Sequence, residues 1–204
     1  STISYVLAPR INAAGRMGKA ELAAELFLTK DPVRAQALAA ELCEQNKLRQ
    51  NEENKILEQT LTRLRREYNP LEDKIIVLAG EGWHQGVIGI VCSRLCDRYG
   101  CPVVLISVDE DGVGKGSGRS IGSFNLFEAL TSCEDLFERY GGHALAAGLT
   151  VQADRIEELR TRLRKYAETH VTMAELVPQL HIDCMVQSEW LTQENIESLS
   201  VLEP

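Results

Sequence analysis

The 204-residue chain has no Cys-x-x-Cys pair, no apolar run approaching the ~18 residues that a membrane span needs, and no basic-then-apolar leader. The first absence leaves Cys43, Cys92, Cys96, Cys101, Cys133 and Cys184, most of them among apolar neighbours, to be read as reduced core residues. The other two predict a cytoplasmic protein with no membrane partner. Basic charge is also in deficit, 22 Lys and Arg against 30 Asp and Glu for a net charge of −8, which excludes a nucleic-acid binder that works through a general basic coat. Any polyanion site must be local, and two acid-free stretches offer one: residues 1–20 with Arg10, Arg16 and Lys19, and residues 112–125 with Lys115 and Arg119. There is no initiator Met, and the strand-like Ile3-Ser4-Tyr5-Val6-Leu7 follows no turn or cap, so the chain is expected to begin inside a longer protein.

What is present is the composition of an ordinary globular protein, 44% hydrophobic and 25% charged, of a length suited to one main domain and an accessory element. A loop is predicted over residues 9–18 and a short Ala/Leu/Glu helix over 19–29. Asp31 can then cap a helix with Pro32 at its first position. No Gly or Pro follows until Pro70, so a helix of about 39 residues, roughly 58 Å long, is possible. Ala35, Leu38, Ala39 and Leu42 form one apolar stripe, Ile56, Leu57, Leu61, Leu64 and Tyr68 another, and residues 44–55 between them are nearly all polar. This pattern predicts a bridge packed at both ends with an exposed middle. The alternative is a helical hairpin turning at Gln50-Asn51.

Residues 74–79 (KIIVLA) and 102–108 (PVVLISV) read as buried parallel strands around a helix over 87–99, with Gly100 as its C-terminal cap: a right-handed βαβ unit. A third strand is predicted over 113–121, a helix over 125–136, a short strand over 149–152 and a charged amphipathic helix over 154–169. The class is α/β, a mixed sheet flanked by helices and preceded by a long connecting helix. Residues 180–186 alternate like a strand, and 192–199 form a capped helix.

Three segments carry chemistry. In residues 9–18, Arg10, Asn12 and Arg16 sit among small residues, and arginine forks suit phosphate oxygens; alternatively both arginines pair with acids of the long helix. In residues 82–89, a Gly-rich turn between strand and helix can present N–H groups to an anion, with Trp83 able to stack on a base or to pack between elements. His84 has no second ligand at i+3 or i+4 and reads as a hydrogen-bonding residue rather than a metal ligand. In the third segment Gly112, Gly114, Gly116 and Gly118 alternate, leaving one strand face bare for close packing, while Lys115, Ser117 and Arg119 on the other face suit a sugar-phosphate backbone. The stretch Tyr140 to Gly148 then offers Gly141 and Gly142 for close approach and His143 as a hydrogen-bonding group, or packs as core.

PRINAAGRMG, GWHQGVIGIVCSRL, KGSGRSI and LFERYGGHALAAGLT, in this order, resemble RecJ-type exonucleases of the DHH/DHHA1 phosphoesterase family over about residues 1–152. The resemblance implies a 5′-to-3′ exonuclease on single-stranded DNA, working in repair and recombination alongside DNA-repair proteins. It implies Mn²⁺ or Mg²⁺ held in an N-terminal DHH lobe, a long helix, a DHHA1 domain and a following OB-fold. Residues 1–30 would be the end of the catalytic lobe, 31–70 the connecting helix, 71–172 the DHHA1 domain and 173–204 the start of the next module. Arg10, Asn12 and Arg16 would then face substrate from the lobe's closing segment, and Ser117, Arg119, Gly141, Gly142 and His143 from the DHHA1 side. The chain departs from the family in having no Asp-His-His. Its aspartates are scattered and Asp109-Glu110-Asp111 reads as a turn, so no catalytic or metal-binding residue is expected here. Two other readings stay open: a DHHA1 phosphodiesterase for short oligonucleotides or cyclic dinucleotides, and a non-catalytic interaction module.

Overall fold

Asp31 opens the longest element by accepting the Val33 N–H at 2.9 Å, with Pro32 in the first turn where its missing N–H costs nothing. The computed structural model describes residues 2–69, 72–176 and 182–202. In it the helix α3 runs unbroken over Pro32–Glu67, which removes the hairpin alternative. Before it stand α1 (Ala8–Arg16) and α2 (Ala20–Leu28). After it come β1 (Ile76–Glu81), α4 (Gln85–Tyr99), β2 (Val103–Val108), β3 (Val113–Arg119), α5 (Leu126–Thr131), β4 (Phe137–His143), β5 (Ala146–Gln152), α6 (Ile156–His170) and α7 (Gln193–Ser198).

The strands form one mixed sheet in the order β1-β2-β3-β5-β4, parallel only between β1 and β2. On one face Val104, Ile106, Leu149 and Val151 pack under α5 and α6. The bare positions of β3 belong to this core: a methyl group at Gly114, Gly116 or Gly118 would lie 2.7–2.8 Å from Ile106, Leu149 or Leu126. On the other face Ile76, Leu78, Val103 and Leu105 meet α4 and the C-terminal half of α3 through Ile56 and Leu64. The N-terminal half of α3 packs separately, Leu38 and Leu42 against Ala14, Leu22 and Ala23 of α1 and α2. Along the outer edge of β1, the carbonyl oxygen of Ala79 accepts from Arg63 of α3 and that of Val77 from Arg160 of α6.

Several expectations are corrected. Residues 3–7 are not a strand but a wide helical turn leading into α1, and residues 9–18 are not a loop. Pro9 is tolerated in the first turn of α1, and Ala13 and Ala14, fully buried, let that helix lie close on α3. The polar middle of α3 is exposed on one side only: Glu44, Lys47, Gln50, Asn51, Asn54 and Lys55 are exposed, whereas Gln45, Asn46 and Glu53 are only 6–9% accessible. The Glu53 carboxylate accepts from Arg49 and, at 2.7 Å, from Arg94 of α4, while Arg49 also donates to Asn46 at 3.1 Å. Polar groups that bond to one another can be buried, here with only Arg49 Nε left without a partner among the described residues of the joint, so polarity alone misreads it. Residues 137–143 form the edge strand β4, and the predicted short strand 149–152 begins earlier, at Ala146. The helix predicted over 125–136 stops at Thr131 and is followed by a 3₁₀ turn. Leu180 and His181 of the last predicted strand lie outside the described residues, and among the described residues Ile182–Val186 pair with no strand; α7, capped by Thr192, forms as expected.

Two stability effects are expected. Glu53→Ala strands Arg49 and should cost about 2–3 kcal/mol in denaturant unfolding, below the cost of breaking a fully buried pair because Arg94 is half exposed; a change under half that size would mean the joint contributes little. Gly142 has φ 149°, and a methyl group there would sit 2.3 Å from the Ala146 oxygen, so Gly142→Val should destabilise the β4–β5 hairpin by at least about 2 kcal/mol, read as lost amide protection in both strands.

Candidate functional site

Register on the sheet decides which of the singled-out residues meet. Arg119 pairs with Ala146, and Ala146 with His143; Ser117 pairs with Gly148, and Gly148 with Gly141; Lys115 pairs with Thr150. Directly opposed residues share a face, so Lys115, Ser117, Arg119, Gly141 and His143 all lie on the face that also carries α4. Helix α4 covers only the β1-β2-β3 part of it. Over β5 and β4 the face is open, and a side chain added at Gly141 would meet nothing within 4 Å. Gly142 points the other way, into the tight contact with β5, so its bareness serves the hairpin rather than ligand approach.

Where the open face meets α4, a cleft of about 540 Å³ is lined by Asn12 and Arg16 from α1, Gly86 and Gly89 from α4, and Ser117 and Arg119 from β3. Its walls depend on two glycines. A methyl group at position 86 would fall 2.1 Å from the carbonyl oxygen of Arg16, so the α4 backbone touches the end of α1 directly; Arg16 Nη1 in turn donates to the Gly86 oxygen at 3.3 Å. A methyl group at position 89 would fall 3.0 Å from Ser117 Oγ and 3.2 Å from Arg119 Nη2. Arg119 is held by its own strand, donating to the Gly118 oxygen at 2.7 Å and to Ser117 Oγ at 3.3 Å. From beneath, the Cys92 thiol, which burial pushes up to about 12, stays neutral and donates to the Ser117 oxygen at 2.9 Å.

Among the described residues Arg10, Arg16, Lys115, Arg119 and Arg139 form no ion pair with a carboxylate. The alternative in which Arg10 and Arg16 pair with acids of the long helix therefore falls. Arg10 nonetheless lies apart from the cleft, donating to Cys43 Sγ at 3.2 Å and to the Val6 oxygen. His143 is exposed rather than a core histidine, its Nδ1 accepting from the Leu145 N–H at 3.3 Å.

Trp83 is corrected as a base-stacking candidate. It is 3% exposed, its indole N–H donates to Gln59 Oε1 of α3 at 2.7 Å, its ring lies on Gly80, and the Arg63 guanidinium is 5.9 Å from the ring centre. The indole fastens α3 to the sheet. The anion site predicted at the start of α4 is likewise closed by the protein itself: His84 Nδ1 accepts the Gly86 N–H at 3.1 Å, and the His84 oxygen accepts those of Val87 and Ile88. Sequence reasoning missed Gly89 and Arg139. The signal for Arg139 was available in the acid-free run of residues 139–153. No group of three or more His, Cys, Asp or Glu among the described residues could hold a metal ion, so the residues present do not fit the Mn²⁺ or Mg²⁺ pair that the resemblance implies. No helix among the described residues is long and apolar enough to cross a membrane.

Residues 72–169 match the model of the DHHA1 domain. Over its whole length the chain is 39% identical to the single-stranded-DNA-specific exonuclease RecJ of Bacillus subtilis (strain 168), and over 87% of its length 38% identical to that of Thermus thermophilus, spanning 26% of each. Its fold superposes on RecJ from Thermus thermophilus in complex with Mg²⁺ with a TM-score of 0.85 at 37% identity, covering all of this chain and 31% of that one. On an exonuclease RecJ bound to manganese the TM-score is 0.77 at 39% identity, covering 86% of this chain and 43% of the other. Identity along the chain and agreement of the fold together place it in the RecJ-type branch of the DHHA1 family, to whose DHHA1-bearing portion it corresponds.

Proposed function

We propose that this chain is the strand-holding part of a 5′-to-3′ single-stranded-DNA exonuclease of repair and recombination, working in the cytoplasm with DNA-repair proteins as partners. The observation that carries the reading is the cleft itself: Arg16 and Arg119, neither paired with an acid among the described residues, flank an opening that continues onto a glycine-floored sheet face. A chain of net charge −8 that keeps these cations uncompensated in one concavity is suited to a phosphate backbone. Arg119 would hold a phosphate, Ser117 and Asn12 would supply hydrogen bonds, and His143 would add a donor from the open side. The floor at Gly141 and Gly148 lets sugar and phosphate come close to the sheet. The reading of the chain as a mere interaction module would gain if Arg119 and His143 were buried and internally paired; Arg119 has no acid partner among the described residues, and His143 is exposed, which favours the strand-holding reading.

Such a surface contributes to hydrolysis by holding the strand so that its terminal phosphodiester stays at the reacting centre, a gain in effective concentration rather than chemistry of its own. The divalent ions that activate water would be held by residues outside this chain, since none of its described side chains cluster to hold them. The chain alone is accordingly expected to leave single-stranded DNA intact and to give no stoichiometric Mn²⁺ signal in calorimetry; nuclease activity that persists through rigorous purification would contradict the reading.

In the complete nuclease, Arg119→Ala should weaken single-strand binding for every sequence and lower the salt slope of log K by about 0.7, the value of one phosphate contact on a single strand. The thermal midpoint should hold, because among the described residues the Arg119 side chain hydrogen-bonds only within its own strand and the backbone pairing is untouched. Unchanged affinity and slope, or unfolding in place of weakened binding, would assign Arg119 to structure.

A further inference from the structure

At the far end of the open face lies a second hollow, of about 270 Å³, around Lys115 of β3, Thr150 of β5 and Arg139 of β4. Register puts these three in one row, Lys115 opposite Thr150 and Thr150 opposite Arg139. Lys115 and Arg139 are both exposed, and among the described residues neither forms an ion pair. Glu138, the acid next in sequence, is engaged by the Gln152 amide, and residues 139–153 contain no other acid. Like charges on one row of a sheet repel, and among the described residues no carboxylate pairs with either cation, so an anion seated over Thr150 relieves the row. The Thr150 hydroxyl supplies a third donor between the two cations.

Lys115 lies four residues before Arg119 on the same strand face, about 13 Å away at roughly 3.3 Å per residue. Ser117, Gly148 and Gly141 form the row between these two, and its two glycines leave that stretch of sheet low. At the ~3.4 Å per phosphate of a stacked strand the gap corresponds to about four phosphates, and to fewer in an extended strand. We propose that Lys115, Thr150 and Arg139 form a second phosphate subsite, reached only by strands several nucleotides long. The strand then runs lengthwise along β3, from this hollow to the Arg16–Arg119 cleft. The inference rests on the strand-holding reading above and adds to it a direction and a source of preference for longer strands.

Binding of labelled oligothymidylates, from dinucleotide to about sixteen nucleotides, the upper range of single-strand sites, tests it in the complete nuclease at several salt concentrations. Three proteins are compared: the parent, the double variant Lys115→Gln with Arg139→Gln, and Arg119→Ala. For the double variant the gain in affinity from the shortest to the longest strand should shrink, and the salt slope on the longest should fall by about 1.4, two contacts at about 0.7 each. Arg119→Ala should lose affinity at every length. A double variant that keeps the parent's length dependence and slope, or loses equally at every length, overturns the second subsite while an impaired Arg119→Ala keeps the strand-holding reading intact. If neither variant changes binding, both proposals fall. A thermal midpoint within a degree or so of the parent's for these exposed substitutions separates lost contact from lost fold.

Discussion

Backbone contact between Gly86 and the end of α1 sets the width of the cleft. No side chain can stand at position 86 without pushing on the Arg16 carbonyl, so α1 rests on the first turn of α4, and the Arg16 side chain returns to the Gly86 oxygen. The same first turn is fixed by the His84 cap, and α4 is fixed to β3 through Cys92 and the bare position at Gly89. Arg16 and Arg119 come from elements far apart in sequence, yet each reaches the cleft from a segment pinned to α4. The buried joint of Glu53 with Arg49 and Arg94 and the indole bond of Trp83 to Gln59 hold α3 to the same body from behind.

Arginine is used in two ways in this chain. On α6 and the turn before it, Arg155, Arg160, Arg162 and Arg164 each have an acid partner, and Arg162 holds the carboxyls of Asp135 and Glu158 below the usual carboxylate range. Exposed pairs of this kind contribute little to stability, but they neutralise that face. On β3 and β4 no such pairing occurs among the described residues, so the acidic total hides a local positive surface. Net charge alone excluded a basic coat and could not show where the remaining cations stood.

Elements with a local cause were legible in the sequence: Asp31-Pro32 as a helix start, Gly100 as a left-handed cap with φ 64°, the two β-branched runs of the βαβ unit, and alternating glycines as a packed strand face. What was not legible had a tertiary cause. Segment 9–18 looked like a loop because Pro9, Gly15 and Gly18 are breakers, whereas Ala13 and Ala14 stabilise their helix by packing on α3. β4 lacks β-branched residues and forms because β5 offers it a hydrogen-bonding edge. Of the candidate site residues, Asn12, Arg16, Ser117 and Arg119 come together and Gly141, His143 and Lys115 share their open face; Arg10, Trp83 and Gly142 are committed elsewhere. Side-chain direction was readable on β3, where alternation put Lys115, Ser117 and Arg119 on one face, but not for Arg10, Trp83 and Gly142, whose directions are set by tertiary contacts.

The guarded outer edge of β1 bears on how this domain behaves among copies of itself. A free strand edge is a template on which another chain can add, and here the carbonyls of Val77 and Ala79 that would accept an incoming strand are already held by Arg160 and Arg63. Those two arginines come from helices on either side of the sheet, so an intruding strand would have to displace both and also enter between α3 and α6. Sheet-to-sheet growth from this side is thereby obstructed, and crowded conditions that promote runaway association of half-open sheets would find little purchase on β1.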